Sequence, residues 1–211
     1  MTPGRLPRSF YARAATEVAP ELLGQVLVRA LPDGTRASAR IVEVEAYGPD
    51  APASHAFRGM TPRNAAMFGP PGHLYVYFTY GMHFCMNAVC GRAGEGTAVL
   101  LRAGEPLEGV EGMRARRSRE RTLELCSGPG RLTQAFGVTR SEDGADLVEG
   151  GSLWVERASR SEATGTGTRV GVHETMRSWR YWLEGNEFVS RGRPGPPTRK
   201  GRAPRASSMT P

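Results

Sequence analysis

Two glutamates, Glu43 and Glu45, are the residues in this sequence whose type and spacing are best suited to catalysis. They lie in the segment IVEVEAY, where strand alternation puts both carboxylates on one face, about 7 Å apart. One interpretation is a solvated strand face. The other is a general base whose like-charged neighbour favours proton uptake. The loop that follows the strand and contains His55 favours catalysis, because active-site residues often lie at such rims.

A segment rich in aromatic residues, at positions 73–90, predicts a β-hairpin with its tip near residues 80–83. Core packing accounts for Tyr75 and Phe84, but Tyr80 and Met82 at a hairpin tip are difficult to bury. Protruding apolar side chains suit insertion between base pairs, where a wedge fills the space of an extruded nucleotide. Contact with another protein is the competing interpretation of the tip.

Metal ligation and amine chemistry are not favoured by the residue types present. His83, Cys85, Cys90 and Cys126 have no spacing typical of a zinc site, and cysteines within an apolar strand usually pack as small hydrophobic residues. We therefore expect no metal. The only lysine is Lys200. A Schiff-base nucleophile needs an amine, and arginine cannot replace lysine because its guanidinium does not deprotonate.

The elements that must position these residues are predicted from hydrophobic periodicity and from turn residues. Besides the hairpin, strands are predicted at residues 25–30, 37–46, 97–103, 153–157, 168–172 and 181–183. Helical segments are predicted at residues 105–125 and 127–136. The loop at residues 47–72 is longer than the usual connection between elements of a compact domain, which predicts a functional role for it. Strands followed by isolated helices predict an α+β fold around a mostly antiparallel sheet.

The charge of the chain is unevenly distributed. Residues 191–211 carry six basic side chains and no acidic one, and these six account for all but one of the formal net charge of +7. This stretch has no apolar periodicity, so we predict one domain at residues 1–190 and a disordered basic tail. The tail either adds salt-dependent affinity for DNA phosphates or serves only as a solubilising extension.

The composition predicts a cytoplasmic protein. The N-terminal residues lack the apolar core of a signal peptide, and no apolar stretch reaches membrane-spanning length. Three cysteines are an odd number and do not make a disulfide framework, which fits a reducing compartment. We therefore expect no association with a membrane.

Three long motifs carry a family resemblance. In chain order they are IVEVEAYGPDAPASHAFRGMTPRNAAMFGPPGHLYVYFTYGMHFCMNAVC, AVLLRAGEPLEG and LCSGPGRLTQAFGV. Together they resemble the alkyladenine (3-methyladenine) DNA glycosylase family in its bacterial type, and the resemblance extends from about residue 21 to residue 190. It implies one compact mixed domain with a curved antiparallel sheet, surrounding helices and a protruding β-hairpin.

The resemblance also implies an activity. The family excises damaged purines (3-methyladenine, 7-methylguanine, hypoxanthine and ethenoadenine classes) from double-stranded DNA without a metal or organic cofactor, and we expect a monomer of the bacterial cytoplasm or nucleoid. By motif, Glu45 is the general base for the attacking water, and Arg102 and the backbone carbonyl of Val170 hold that water. With no lysine in the folded part, we expect a monofunctional enzyme that leaves an intact abasic site.

The remaining implied roles concern the flipped base and the DNA surface. Tyr47, His55 and Tyr77 sandwich the base, and Asn87 disfavours guanine by crowding its 2-amino group. Four residues are implied at the DNA: Tyr80 as the wedge, Met82 beside it in the minor groove, and Arg63 and Arg117 near phosphates. The alternative is a catalytically silent nucleic-acid-binding module of related fold. A pure binder needs no water-activating pair, so Glu45 together with Arg102 favours the enzyme.

Overall fold

An antiparallel sheet that curves around the core organises residues 4–172 and 177–190, which the computed structural model describes. The strands in these ranges are β1 (Val26–Ala30), β2 (Arg36–Tyr47), β3 (Leu74–Thr79), β4 (His83–Cys90), β5 (Thr97–Glu108), β6 (Leu153–Glu156), β7 (Thr164–Gly167) and β8 (Arg180–Leu183). The helices are α1 (Arg8–Tyr11), α2 (Ala15–Leu22), α3 (Val110–Arg117) and α4 (Pro129–Ala135), with 3-10 helices at Ala65–Phe68, Thr122–Glu124 and Arg140–Glu142. The predicted α+β fold is confirmed.

Strand β2 lies in the middle of the sheet, whose order is β3-β4-β5-β2-β1-β6. One edge of β2 pairs with β5 along most of its length. The other edge pairs first with β1 and then, at residues 43–45, with β8. Strand β7 pairs with β8, and all these pairings are antiparallel. The two glutamates therefore lie between neighbouring strands on both sides, and not at a sheet edge.

Two irregularities in the pairing of β2 with β5 change the direction of side chains near the glutamates. The register shifts once at Val42 on β2 and once at Arg102 on β5, and each is an extra residue in the pairing. Such a bulge bends its strand and turns side chains out of the regular alternation. The guanidinium of Arg102 thereby reaches the carboxylates of Glu43 and Glu45.

The core lies between the sheet and the helices. Helix α2 lies against β2 and β5, and α4 lies against β4 and β5. Val18, Ala19 and Leu22 of α2 are fully buried, because their spacing puts them on one face of the helix. Residues 41–46 of β2 are all buried. A solvated strand face, which was one interpretation of the glutamate pair, is therefore wrong.

The prediction of one helix over residues 105–125 is also wrong. Strand β5 continues to Glu108, where the Ser38 hydroxyl of β2 donates to the Glu108 carboxylate at 2.8 Å. Gly109 then adopts a positive φ of 68°, which favours glycine, and α3 begins at Val110. The charged residues at the end of β5 are compatible with a helix, but their cross-strand partners hold them in the sheet.

Residues 168–172 do not form the predicted strand. The strand in this region is β7, which ends at Gly167. The chain then leaves the sheet and crosses to the end of β2, where the backbone of Val170 contacts Glu45. The predicted basic tail at residues 191–211 lies outside the described residues. Within the described ranges, no helix is long and apolar enough to cross a membrane.

Candidate active site

The carboxylate of Glu45 is fully buried and held in one orientation. The backbone N–H of Val170 donates to its Oε1 at 2.6 Å, and the hydroxyl of Tyr47 donates to its Oε2 at 2.9 Å. Nη1 of Arg102 lies 3.3 Å from Oε1. An ionised carboxylate accepts hydrogen bonds and donates none, so these donors suit a charged group in a fixed position.

Arg102 links the two glutamates. Its Nε donates to Oε1 of Glu43 at 2.9 Å, and its Nη2 donates to the hydroxyl of Ser190 at 3.3 Å. Burial acts to lower the pKa of Arg102, but the carboxylates of Glu45 and Glu43 outweigh this effect and the pKa is raised. The guanidinium therefore stays charged in a buried position.

Tyr47 joins this charged cluster to a pocket. Strand alternation puts residues 45 and 47 of β2 on the same face, which explains the contact between the Tyr47 hydroxyl and Glu45. Burial raises the pKa of Tyr47, and the negative charge of Glu45 raises it further. The phenol therefore remains protonated and acts as a donor, while its ring forms part of the pocket wall.

The pocket is mainly aromatic, and its wall consists of Tyr47, Ala53, His55, Met67, Tyr75, Tyr77 and Asn87. Strands β2, β3 and β4 and the loop after β2 each contribute residues. Four of the residues, Tyr47, His55, Tyr77 and Asn87, were expected from the sequence to contact a base, and the structure brings them together. The rings of His55 and Tyr77 meet edge to face, with centroids 4.4 Å apart.

Tyr75 is a pocket residue that the sequence interpretation assigned to core packing. It is buried, but its hydroxyl forms a hydrogen bond of 2.8 Å with Nδ1 of His55, and its backbone carbonyl accepts from Nδ2 of Asn87 at 3.0 Å. The sequence did carry a signal for this role, because Tyr75 and Tyr77 are two positions apart on one strand. Burial raises the pKa of Tyr75 to about 12.

The pKa of His55 is shifted in favour of the neutral imidazole. Burial lowers its pKa below the ordinary value, and the positive charge of Arg63 lowers it further. The pocket wall consists of four rings, one amide, Ala53 and Met67, and none of these side chains carries a fixed charge. Its aromatic faces are of the kind that attracts a positively charged ligand.

The segment at residues 169–170 covers the end of β2. Arg169 is buried, its guanidinium lies 4.5 Å from the centroid of the Tyr47 ring, and its Nη1 donates to the Ala46 carbonyl at 3.1 Å. Val170 was expected at Glu45 through its backbone carbonyl. The structure brings this backbone to Glu45, but the contact is made by the N–H group, and a role for the carbonyl stays a prediction.

Sequence comparison assigns this chain to a known family. A family model described as methylpurine-DNA glycosylase (MPG) matches residues 9–187. The chain belongs to this family. The match includes most of the described residues and every residue of the pocket wall, and it confirms the resemblance seen in the three motifs.

Curated relatives of this glycosylase cover most of the chain. A protein of Burkholderia lata is 52% identical over 201 residues, which are 92% of this chain and 93% of the relative. A protein of Streptomyces avermitilis is 49% identical over 212 residues, covering 94% and 97%, and one of Methanocella arvoryzae is 46% identical over 196 residues, covering 90% and 98%. Each bears the name "Putative 3-methyladenine DNA glycosylase".

The hairpin of the glycosylase presents apolar side chains to solvent. Tyr80 is 86% exposed and Met82 is 68% exposed. Tyr80 and Gly81 both have positive φ angles, 51° and 67°, and the Met82 N–H donates to the Thr79 carbonyl at 3.2 Å, as in a type I′ turn. A left-handed conformation costs a residue other than glycine about 1–2 kcal/mol. Backbone strain at an exposed aromatic tip favours a functional role.

The two arginines expected near DNA phosphates lie in different parts of the glycosylase. Arg63 lies beside the hairpin, and its Nη2 donates to the Phe78 carbonyl at 3.1 Å. Arg117, at the end of α3, donates to the side chain of Gln134 on α4 and to the Glu124 carbonyl. The structure thus brings Arg63 close to the hairpin, and neither Arg63 nor Arg117 lines the pocket.

The cysteines are free and buried. Among residues 4–172 and 177–190, no group of three or more histidine, cysteine, aspartate or glutamate side chains is placed to hold a metal ion. Cys85 borders the pocket residue Tyr77, and burial raises the pKa of its thiol to about 11. The thiol is therefore protonated at neutral pH.

Proposed function

We propose that this glycosylase flips damaged purines out of double-stranded DNA and hydrolyses the N-glycosidic bond with a water activated by Glu45. One observation carries the proposal. The carboxylate of Glu45 lies directly behind a wall of the aromatic pocket, because Tyr47 both lines the pocket and donates to Glu45. A base held in the pocket would therefore have its sugar bond near a buried, fixed carboxylate. The proposed substrates are the 3-methyladenine, 7-methylguanine, hypoxanthine and ethenoadenine classes.

The buried carboxylate suits the chemistry of this reaction. Cleavage of an N-glycosidic bond passes through an oxocarbenium-like transition state, as in sugar hydrolases. Glu45 would stabilise the positive charge on the sugar and accept a proton from the water whose oxygen bonds to the anomeric carbon. The purine would leave with the electrons of the broken bond, as a neutral base when alkylation has given it a positive charge and otherwise as an anion that takes up a proton from solvent. Arg102 and the Val170 backbone would hold Glu45 and the water in place.

The neutral aromatic wall suits alkylated bases. Stacking of a base on an aromatic side chain contributes about 1–3 kcal/mol, and Tyr47 and Tyr77 are the rings proposed to supply it. A base that carries a positive charge from alkylation gains further attraction to the Tyr77 ring face, whereas the Tyr47 ring already has the Arg169 guanidinium 4.5 Å from its centroid. The positive charge of the alkylated base also makes it a better leaving group, so little acid catalysis is needed. Asn87 is proposed to disfavour guanine by crowding its 2-amino group; 7-methylguanine keeps this group and would have to be bound in spite of it, through the positive charge of its ring.

The proposed DNA contacts are made by the exposed hairpin and by two arginines. Tyr80 would fill the space that the flipped nucleotide leaves, with Met82 beside it in the minor groove. Arg63 and Arg117 would contact phosphates. The proposed partner is thus duplex DNA that contains a damaged purine, bound by a monomer.

The proposed reaction is tested with end-labelled duplexes that each contain one lesion from a panel of damaged purines. We expect base release with no strand break until alkali is added, because the described residues, which form the pocket, include no lysine to act as an amine nucleophile. Nicking before alkali would contradict the monofunctional mechanism. Failure to release any base on the panel would contradict the proposed function as a whole.

Removal of the Tyr47 hydroxyl should slow the reaction and leave base stacking intact. Tyr47→Phe loses the hydrogen bond of 2.9 Å to Glu45 but keeps the ring. Because hydrogen bonds to charged groups contribute about 1.5–3 kcal/mol, we expect a loss of roughly tenfold to a hundredfold in the single-turnover excision rate, with unchanged affinity for lesion DNA.

The matched control for this change is Tyr11→Phe. Tyr11 is buried in the core, and its hydroxyl has no hydrogen-bond partner among the described residues. The excision rate of this control should equal that of the unmodified protein. Equal rates for Tyr47→Phe and the control would remove the hydroxyl from the mechanism.

The hairpin tip is tested by Tyr80→Ser. Unstacking a base step costs a few kcal/mol, and a wedge offsets part of that cost. We expect affinity for lesion duplexes to fall about tenfold or more, while the single-turnover rate at saturating enzyme stays nearly unchanged, because the pocket is intact. Leu107→Ser is the control, since Leu107 is 48% exposed near the end of β5. Equal affinities for the two variants would contradict the wedge.

A further inference from the structure

Glu43 takes no part in the reaction as proposed, yet it is fully buried and accepts hydrogen bonds on both carboxylate oxygens. Its Oε1 accepts from Nε of Arg102 at 2.9 Å and from Nε of Arg180 at 2.7 Å. Its Oε2 accepts from the backbone N–H of Ser190 at 2.7 Å. The Glu43 carboxylate therefore accepts hydrogen bonds from β5, from β8 and from the segment that follows β8, and it connects these three parts of the chain.

The contacts of Glu43 determine where the guanidinium of Arg102 lies. The Nε of Arg102 is 2.9 Å from Glu43, whereas its Nη1 is 3.3 Å from Glu45 and its Nη2 is 3.3 Å from the Ser190 hydroxyl. The guanidinium is planar and rigid, so three partners on its three nitrogens fix its plane. Arg102 thus lies closer to Glu43 than to Glu45.

The same residues balance charge. Glu43 and Glu45 carry two negative charges, and Arg102 and Arg180, which contact them directly, carry two positive charges. Arg169 adds a third buried positive charge beside Tyr47, so any further loss of negative charge leaves the region more positive. In a buried site an unpaired charge has a large effect on its neighbours. Without the negative charge of Glu43, Arg102 would be drawn to Glu45 and would leave excess positive charge close to the reacting sugar. A positively charged transition state is destabilised by such an excess.

We propose that Glu43 is a positioning residue for base excision: it orients Arg102 and neutralises a buried cation, and thereby keeps Arg102 from cancelling the negative charge of Glu45 on which the reaction depends. This proposal rests on the proposed function, in which Glu45 acts on the bound nucleotide. Ser190, in the segment that follows β8, contributes to the same arrangement. Its backbone N–H donates to Glu43, and its hydroxyl accepts from Arg102.

The test is Glu43→Gln, assayed by single-turnover excision with excess enzyme and by affinity for lesion duplex. We expect the excision rate to fall about tenfold or more, while affinity is unchanged or tighter, because the variant carries one more net positive charge. A rate constant at saturating enzyme reports on folded molecules, so partial unfolding does not imitate this result. Parallel losses of rate and affinity would overturn the proposal.

The control is the same substitution at another buried, ion-paired glutamate. Glu156 on β6 is 6% exposed, pairs with Arg36 at 2.8 Å and accepts from Trp154 Nε1 at 2.9 Å. Glu156→Gln should lower the melting temperature and leave the excision rate unchanged. If both variants lose excision equally, Glu43 has only a structural role and the proposal fails.

A double variant that restores the net charge tests whether the effect of Glu43→Gln comes from charge or from a loss of folding. Adding Arg180→Gln to Glu43→Gln removes the surplus positive charge, and we expect the double variant to excise faster than Glu43→Gln alone. If the loss of excision rate in the double variant equals the product of the losses in Glu43→Gln and Arg180→Gln, the charge-balance argument is wrong. If Glu43→Gln does not fold, Ser190→Ala removes one contact of Arg102 and should slow excision with unchanged affinity; an unchanged rate would count against the proposal.

The Glu45→Gln variant distinguishes a failure of the positioning role of Glu43 from a failure of the proposed function. If Glu45→Gln is inactive and Glu43→Gln has a normal rate, the positioning role is wrong and the proposed function stands. If Glu45→Gln excises at the normal rate, the proposed function is wrong, and the role of Glu43 is wrong with it.

Discussion

Glu45→Gln is expected to bind lesion DNA normally and to lose excision by at least about a hundredfold. Glutamine has nearly the same shape as glutamate, and its amide oxygen still accepts a hydrogen bond from the Tyr47 hydroxyl or the Val170 N–H. It has no negative charge, so it neither stabilises a positively charged sugar nor takes a proton from water. Binding energy from the pocket and the hairpin does not depend on that charge.

The measurement pairs single-turnover excision on a duplex that contains one 3-methyladenine analogue or hypoxanthine with a binding titration on the same duplex. A variant that binds but does not excise would assign the chemistry to Glu45. It would also exclude the alternative of a catalytically silent binding module, since such a module has no excision to lose. Unchanged excision would remove Glu45 from the reaction.

Arg102→Met is expected to lower the free energy of unfolding by about 3–5 kcal/mol, because removal of one partner from a buried ion pair leaves an uncompensated buried charge. Glu43 and Glu45 are fully buried, and Arg102 contacts both of them. Methionine fills much of the same space but donates no hydrogen bond. We expect excision to be lost as well, because the orientation of the Glu45 carboxylate depends on this cluster.

The loss of stability is measured by urea unfolding, with Arg13→Met as the control. Arg13 pairs with Glu21 at 2.8 Å, but both side chains are partly exposed, 34% and 53%. Exposed ion pairs contribute about 0–1 kcal/mol, so the control should change little. If the two variants were equally stable, the buried cluster would not contribute to stability as its burial implies.

Several features of the site were predictable from the sequence because they depend on local geometry. Alternation along β2 puts Glu45 and Tyr47 on one face, and the structure joins them by a hydrogen bond. Alternation along β3 does the same for Tyr75 and Tyr77, although the sequence interpretation assigned Tyr75 to the core. The hairpin and its exposed tip were also predicted correctly, because the aromatic strands and the turn containing Gly81 are local signals.

Other features depend on which distant segments meet, and a local pattern does not contain this information. The spacing of Glu43 and Glu45 fits a solvated face and a buried site equally well. Burial was decided by the pairing of β2 with both β5 and β8. Arg102 lies 59 positions after Glu43 in the chain, and a bulge in β5 brings its side chain to the two glutamates. The alternation of residues along a strand does not predict where such a bulge occurs.

Some features of Glu45 and its neighbours are therefore predictable from the sequence, and others depend on the tertiary structure. The sequence by itself determined the family, through three ordered motifs, and the strand that carries Glu45 and Tyr47. Tertiary structure alone decided that Glu43 is a buried acceptor for Arg102, Arg180 and Ser190, and that residues 168–172 leave the sheet to contact Glu45 instead of forming a strand. The physical reason is that alternation fixes the direction of a side chain, while its burial and its charged partners are set by long-range packing.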